Sequence, residues 1–321
     1  RDTTYNNDFS YYGYFDSGWC YSYANNRFSP SNSTGNHKCN GEWSGNFLNW
    51  ATMTRIDILR QVLYGGKRQT DTATSTVLER SYLPKDNHAF AKVYDPASKD
   101  NESGSVSDYT PYDHSSITLC NVSSGNGGTP QIRVAKGQWY NWANSEIQQC
   151  QWSLRTTNPN HSSYGEKSEL GTFTARVEVC KNDKDYESAR CREYDNNIYK
   201  PVGVLQEYED TIHFGLVTGT WEKNRSGGIL RKKASALVGN DYTGSTDNVN
   251  EYDRNTGIFN SNVTGIIGNI NRFEIVGYNF SSNNYNGNHR DWGNPIGEIY
   301  AETLRYLSGY RPGNSEFSSD G

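Results

Sequence analysis

The sequence predicts an α/β protein whose core is split by a long, disulfide-tied, β- and loop-rich insertion. Three observations lead there. Residues 43–64 carry a long helical apolar pattern, residues 295–308 carry a second, and short apolar runs of strand character lie between them. Amphipathic helices combined with near-continuous apolar strands indicate a layered α/β core. The stretch from 85 to 199 has no dominant hydrophobic period, which marks an insertion or subdomain. The expected organisation is an aromatic loop region with the first core helix (1–84), a variable insertion (85–199) and the remaining core strands and helix (200–321).

Each element follows from local chemistry. Residues 1–42 are aromatic and polar, and a Ser/Asn/Gly/Pro cluster at 29–36, flanked by Cys20 and Cys39, signals a turn. Ser44 is placed to cap the first helix, because its hydroxyl can accept an orphan backbone N–H. Phe47, Leu48, Ala51, Ile56, Ile58, Leu59, Val62 and Leu63 then fall on one arc, and Gly65-Gly66 ends it. Arg55 lies within that arc, either in a buried ion pair or snorkelling to the edge. Residues 173–179 alternate as a half-buried strand should, and 182–197 is a charged tract around Cys191. Strands are expected at 202–205, 212–218, 229–230 and 273–276. In the last helix Asn294 is the expected N-cap and Pro295 the first helical residue. Ile296, Ile299, Tyr300, Thr303, Leu304 and Leu307 form its expected inner stripe, and Gly309 is the expected C-cap.

Composition narrows the function classes. With 24 Tyr, 8 Trp, 31 Gly and a hydrophobic fraction of 33%, the chain predicts a modest core carrying tyrosine-decorated loops. A net charge of −5 without a Lys/Arg run argues against nucleic acid as a partner. No run approaches the ~18 apolar residues of a membrane span. The chain begins at Arg1 and its one Met is Met53, so a processed, trimmed or partial chain is expected. Cys20, Cys39, Cys120, Cys150, Cys180 and Cys191 form no CxxC and no zinc spacing. An even, dispersed set suits an oxidising compartment, and sequential pairing is the simplest connectivity.

The search for catalytic motifs is negative: there is no HExxH, GxSxG, P-loop or post-strand GxGxxG, and nothing selects one carboxylate pair over another. A non-enzymatic protein is expected. Asp253-Arg254-Asn255-Thr256-Gly257 offers oxygen ligands but lacks the closing Glu of a calcium loop, so it reads as an Asn/Gly turn, and Asn182, Asp183 and Asp185 make a weaker case. Sequons at Asn32, Asn101, Asn121, Asn160, Asn224, Asn262 and Asn279 indicate exposed loops. Tyr11, Tyr12, Tyr14, Trp19 and Tyr23 are candidate contact residues, with a small local core as the alternative.

The segment WSGNFLNWATMTRIDILRQVLYGG from residue 43, followed by KRQTDTATSTVLER, resembles the PilY family of type IV pilus tip adhesins and biogenesis proteins. The resemblance extends to YYGYFDSGWCYSY at 11–23, KPVGVLQEYEDTIHFGLVTG at 200–219, GGILRKKAS at 227–235 and WGNPIGEIYAETLRYLSGY at 292–310. It implies a von Willebrand factor A-like (Rossmann-like) core interrupted by a large insertion, with 43–64, 212–218 and 295–308 as core elements. It also implies a divalent cation, Mg or Ca, held by an Asp-x-Ser-x-Ser loop, a Thr and a further Asp. In this chain Asp8-Phe9-Ser10-Tyr11-Tyr12 lacks the second Ser, and Asn294 occupies the Thr position. Asp320-Gly321 resembles the last ligand turn but follows no apolar strand. The core is therefore expected to be incomplete here, and the cation site to need residues outside this chain. The function implied is that of an extracellular, tip-associated adhesin and pilus-assembly factor, binding minor pilins and a host or abiotic surface receptor. A secreted carbohydrate-binding or carbohydrate-active protein is the alternative.

Overall fold

The computed structural model describes residues 3–98, 104–125, 128–144, 149–152, 168–181, 190–220, 227–239, 250–275, 278–279, 284–285 and 295–309. It is α/β, with several sheets and three disulfides, and divides into two units, Arg1–Gly203 and Val204–Gly321.

In the first unit, β1 (Trp19–Ala24) and β2 (Arg27–Ser33) form a hairpin. Asn25 and Asn26 both take positive φ, the two-residue turn whose twist matches antiparallel strands. The short β3 (Trp43–Ser44) leads into α1 (Gly45–Thr52) and α2 (Arg55–Tyr64). The hairpin β4 (Arg68–Thr72) and β5 (Ser75–Glu79) follows, then β6 (Phe90–Tyr94), β7 (Ile117–Ser123), β8 (Pro130–Lys136) and β9 (Glu169–Thr174). Strands β10 (Arg176–Val179), β11 (Cys191–Tyr194) and β12 (Ile198–Pro201) complete the unit. One sheet has the order β3-β1-β2-β10-β5-β4 and a second is the antiparallel β6-β7-β8-β9, while β11 and β12 pair as a hairpin. The expected single strand at 173–179 is instead two, in different sheets, with buried Ala175 as the crossing point. Through β10, the stretch beyond residue 85 sits between β2 and β5 in the same sheet as the N-terminal strands.

The core is built from rings. Tyr5 is surrounded by Tyr109, Phe47, Trp50, Tyr11 and Tyr94, with centroids between 4.9 and 5.9 Å away. Phe28 gathers Tyr23, Phe15 and Trp43 between 4.8 and 5.9 Å. Edge-on contacts dominate, the arrangement that ring quadrupoles favour. Tyr5, Tyr14, Tyr21, Tyr64, Tyr94 and Tyr109 are all buried, three of them (Tyr5, Tyr14 and Tyr109) from loop or turn positions, supplying the volume that the scarce aliphatics do not.

The expected single helix over 43–64 is broken. Ser44 caps α1 as read from the sequence, accepting the Phe47 N–H. At Met53 and Thr54 the backbone turns extended, and Thr54 starts α2 through a capping box in which Thr54 and Asp57 exchange bonds. The break resets the helical phase. Asp57, Arg60, Gln61 and Tyr64 turn inward, Leu59 and Val62 stay nearly half exposed, and Arg55 is exposed. The buried cation is thus Arg60, 4.0 Å from Asp57. Asp57 also accepts the Ser81 amide at 2.7 Å and its hydroxyl at 3.2 Å. Gly65 closes α2 with φ of 86°, as the paired glycines predict.

The second unit contains α3 (Val204–Glu207), the antiparallel pair β13 (Phe214–Thr218) and β14 (Ile229–Ser235), and α4 (Ile266–Arg272). The short pair β15 (Tyr278–Asn279) and β16 (Asn284–Tyr285) and the helix α5 (Ile296–Leu307) follow. Residues 202–205, expected as strand, run into the turn of α3, and 273–275 are not strand either; Val276 lies outside the described residues. In α5, Ile299 and Tyr306 face the β13–β14 pair: Gly219 lies against Ile299, and Tyr306 Oη accepts the Ala234 N–H at 2.9 Å. Its expected inner stripe mostly faces out, with Ile296, Tyr300, Leu304 and Leu307 exposed by 65, 65, 50 and 72%. Beyond the helix, Gly309 has φ of 73°.

Candidate binding surface

Two asparagines on α1 hold the N-terminal segment in place. Asn46 accepts the Tyr11 N–H at 2.7 Å and donates to Phe9 O at 2.8 Å and Tyr5 Oη at 3.1 Å. One turn on, Asn49 accepts the Phe15 N–H at 3.1 Å and donates to the carbonyls of Tyr11 and Phe15, both at 2.8 Å. A primary amide suits this task because it offers donors and an acceptor at one point. Gly13 permits the approach: a Cβ there would stand 2.2 Å from Asn49 Oδ1. Arg190 adds a second fastening, donating to Gly13 O at 2.6 Å and Phe15 O at 2.9 Å, with its guanidinium 5.6 Å from the Tyr12 ring. Phe9 and Tyr12 remain outside, exposed by 59 and 49%.

The candidate aromatics divide accordingly. Tyr12 is on the surface. Tyr14 is fully buried, its hydroxyl accepting the Lys67 N–H at 3.1 Å, and burial pushes that hydroxyl's pKa well up. Tyr11 is half-buried and stacks on Tyr5. Tyr23 is half-buried between Phe28 and Phe173, and its hydroxyl accepts the Thr174 N–H at 2.8 Å. Trp19 packs, partly buried, against the same core. Tyr14 is therefore no contact residue, and Tyr11, Trp19 and Tyr23 spend much of their surface on packing. Phe9 was overlooked because one Phe between polar residues carries no periodic signal. The signal for the clamp was legible, since Asn46 and Asn49 interrupt an apolar helix at the spacing of neighbours on one face.

A further exposed ring, Tyr140 at 60%, lies on the loop after β8. Trp139 and Trp142 anchor that loop from within, and Arg133 donates to Cys150 O at 2.7 Å. The disulfides join Cys20 to Cys39, Cys120 to Cys150 and Cys180 to Cys191, the sequential connectivity.

The titratable groups in the interior are structural in geometry. Lys200 Nζ donates to Asp71 Oδ1 and Thr76 Oγ1, each at 2.8 Å, and burial lowers its pKa against the opposing pull of Asp71. Arg80 faces neutral oxygens of Asn121, Val122 and Gln131, and burial lowers it to about 10. Among the described residues no three His, Cys, Asp or Glu side chains are grouped to hold a metal ion. Asp253 Oδ1 accepts the N–H groups of Asn255 and Thr256 at 2.8 and 3.0 Å, so this segment is a turn. Asn294, the candidate metal ligand, lies outside the described residues. The sequon at Asn121 is no exposed loop: Asn121 is fully buried and donates to Ala51 O at 2.8 Å.

Comparison with known proteins places this geometry in a family context. A family model described as PilY1 homolog, small alpha/beta domain, matches residues 2–140, and one described as PilY1 homolog, second domain, matches residues 214–321. A type IV pilus biogenesis factor PilY1 homolog of Xylella fastidiosa (strain Temecula1) is 34% identical, covering 94% of this chain and 22% of that protein. Another of the same description and source is 28% identical, covering 95% of this chain and 26% of its own length. The chain thus spans about a quarter of the curated relatives it matches. No solved structure matches it.

Proposed function

The chain belongs to the PilY1 family, and on that premise we propose that it is the attachment-bearing segment of a non-enzymatic type IV pilus factor. In this reading it acts at the pilus tip, outside the cell, with minor pilins as assembly partners and a host or abiotic surface receptor as its target. The observation that carries the attachment role is the Asn46–Asn49 clamp, which fixes a loop whose Phe9 and Tyr12 rings are left to solvent. Rings held before contact lose little entropy on binding. Three disulfides support an oxidising, surface location, and no described helix is long and apolar enough to cross a membrane. We also read 200–321 as part of a von Willebrand factor A-like core, with 85–199 as its insertion. A Mg or Ca ion enters that reading only through ligands beyond this chain that join Asn294.

The test is a Phe9→Ala/Tyr12→Ala double substitution in the full-length protein, scoring sheared pili and cell attachment separately. Attachment is expected to fall severalfold with pilus yield unchanged. Retained attachment, or pili lost together with attachment, would overturn the assignment of contact to these rings.

A further inference from the structure

A polar groove of about 570 Å³ runs beside the Cys20–Cys39 disulfide, where the end of β2 meets the loop that returns to β3. Its walls are fixed from several sides. Cys39 and Gly41 donate their amides to the carbonyls of Asp108 and Ser107, and Thr34 Oγ1 donates to Lys38 O at 2.8 Å. His37 and Asn40 hold positive φ, the left-handed turn conformation that His and Asn take more readily than most residues.

Within this rigid frame three polar groups have capacity left. Glu42 Oε2 accepts Ser31 Oγ at 3.0 Å and Asn32 Nδ2 at 3.3 Å, while Oε1 meets no donor among the described residues. Among the described residues the exposed amide of Asn40 has no partner, and Asn32 Oδ1 is equally unspent. The nearby cation is committed, since Lys38 Nζ pairs with Asp108 at 3.3 Å. The rim is tied to the segment carrying the exposed rings: Asn7 Nδ2 donates to Asn36 O at 2.9 Å, and His37 Nδ1 lies 2.8 Å from Asn7 O.

We infer that this groove is a binding site for a neutral saccharide. A carboxylate and two amides bring acceptors and donors together in one groove, the mixed pairing that sugar hydroxyls take. The volume falls within the range of small-ligand sites. The segment that Asn7 ties to this rim also carries the exposed Phe9 ring, apolar surface of the kind on which the C–H face of a sugar packs. The uncompensated Glu42 charge opposes phosphate, sulfate and sialic acid, so neutral glycans are selected. The inference rests on the attachment reading above, for which it names the ligand class.

The experiment is saturation-transfer NMR and titration of the oxidised chain with lactose, cellobiose, chitobiose and, as charged counterpart, sialyllactose. A neutral probe is expected to bind in about the millimolar range, as an open groove allows. Binding should weaken about tenfold in Glu42→Ala and in Asn40→Ala, each lost hydrogen bond accounting for that scale. Near-UV circular dichroism of both variants verifies the fold. No binding by any neutral probe, tighter binding of sialyllactose, or variants that bind unchanged would overturn the site. Attachment tested in the same variants separates the two readings. Sugar binding without any attachment phenotype keeps the site and removes attachment, whereas attachment without sugar binding does the reverse.

Discussion

Asn49 carries more of the structure than its size suggests. Its amide satisfies three backbone groups of a segment that lies 34 to 38 residues earlier in the chain, and it is itself almost fully buried. Replacement by Ala leaves the buried Phe15 N–H without its acceptor and takes one donor from each of the Tyr11 and Phe15 carbonyls, the second of which keeps Arg190, at a cost of about 1–3 kcal/mol. Asp keeps the shape but loses both donations and sets a charge against the carbonyls of Tyr11 and Phe15. Asn49→Asp is therefore expected to be less stable than Asn49→Ala at neutral pH, and to recover on acidification as the carboxyl takes up a proton. Urea titrations of the two variants at pH 7 and pH 5 check the order; an Asp variant equal to wild type would refute the clamp.

At the scale of elements, α4 shows how a helix start is satisfied by a distant residue. Glu251 accepts the amides of Ile266 and Ile267, both at 2.8 Å, and Gly265 leaves the space in which its carboxyl sits. Burial raises the Glu251 pKa above its usual 4.5, and the two amides only partly oppose the shift. The sign follows directly. A carboxyl whose folded pKa is raised adds stability that is fully present below pH 4.5 and lost as pH rises through the folded value. Thermal melts should show a pH-dependent contribution on the acid side of neutrality, and Glu251→Gln should flatten it while lowering Tm throughout. An unchanged pH slope in Glu251→Gln would contradict the burial. Elements marked by short-range chemistry were legible in the sequence: the Ser44 cap, the Gly65-Gly66 stop and the helix over 296–307. The break at Met53–Thr54 was also written there, as a Thr-x-x-Asp capping box, but the apolar arc running across it masked the signal. Once that phase was misread, Arg60 could not be distinguished from Arg55 as the buried cation.

At the scale of the molecule, the two units differ in what makes them stable. All six cysteines and the aromatic core lie in Arg1–Gly203. Each disulfide there contributes about 2–4 kcal/mol by restricting the unfolded chain. In the second unit the described buried apolar side chains are few, chiefly Leu205, Leu237, Tyr252, Ile266, Ile267 and Ile270, while one whole face of α5 is exposed. The sequence made the apolar stripe of α5 plain, but which side of the helix packs depends on β13 and β14, and no local pattern encodes that. A contiguous apolar face of this kind seeks cover. Residues 1–203 expressed alone, oxidised, should therefore give a single cooperative melt and strong near-UV circular dichroism from their packed rings. Residues 204–321 alone should bind a hydrophobic dye and melt broadly, as loosely packed chains do. Replacing Tyr300 and Leu304 with Gln in that fragment should reduce dye binding without lowering its helix content, because neither side chain packs inward. If 204–321 instead melts sharply and excludes the dye, its core is sufficient and the exposed face of α5 needs no partner.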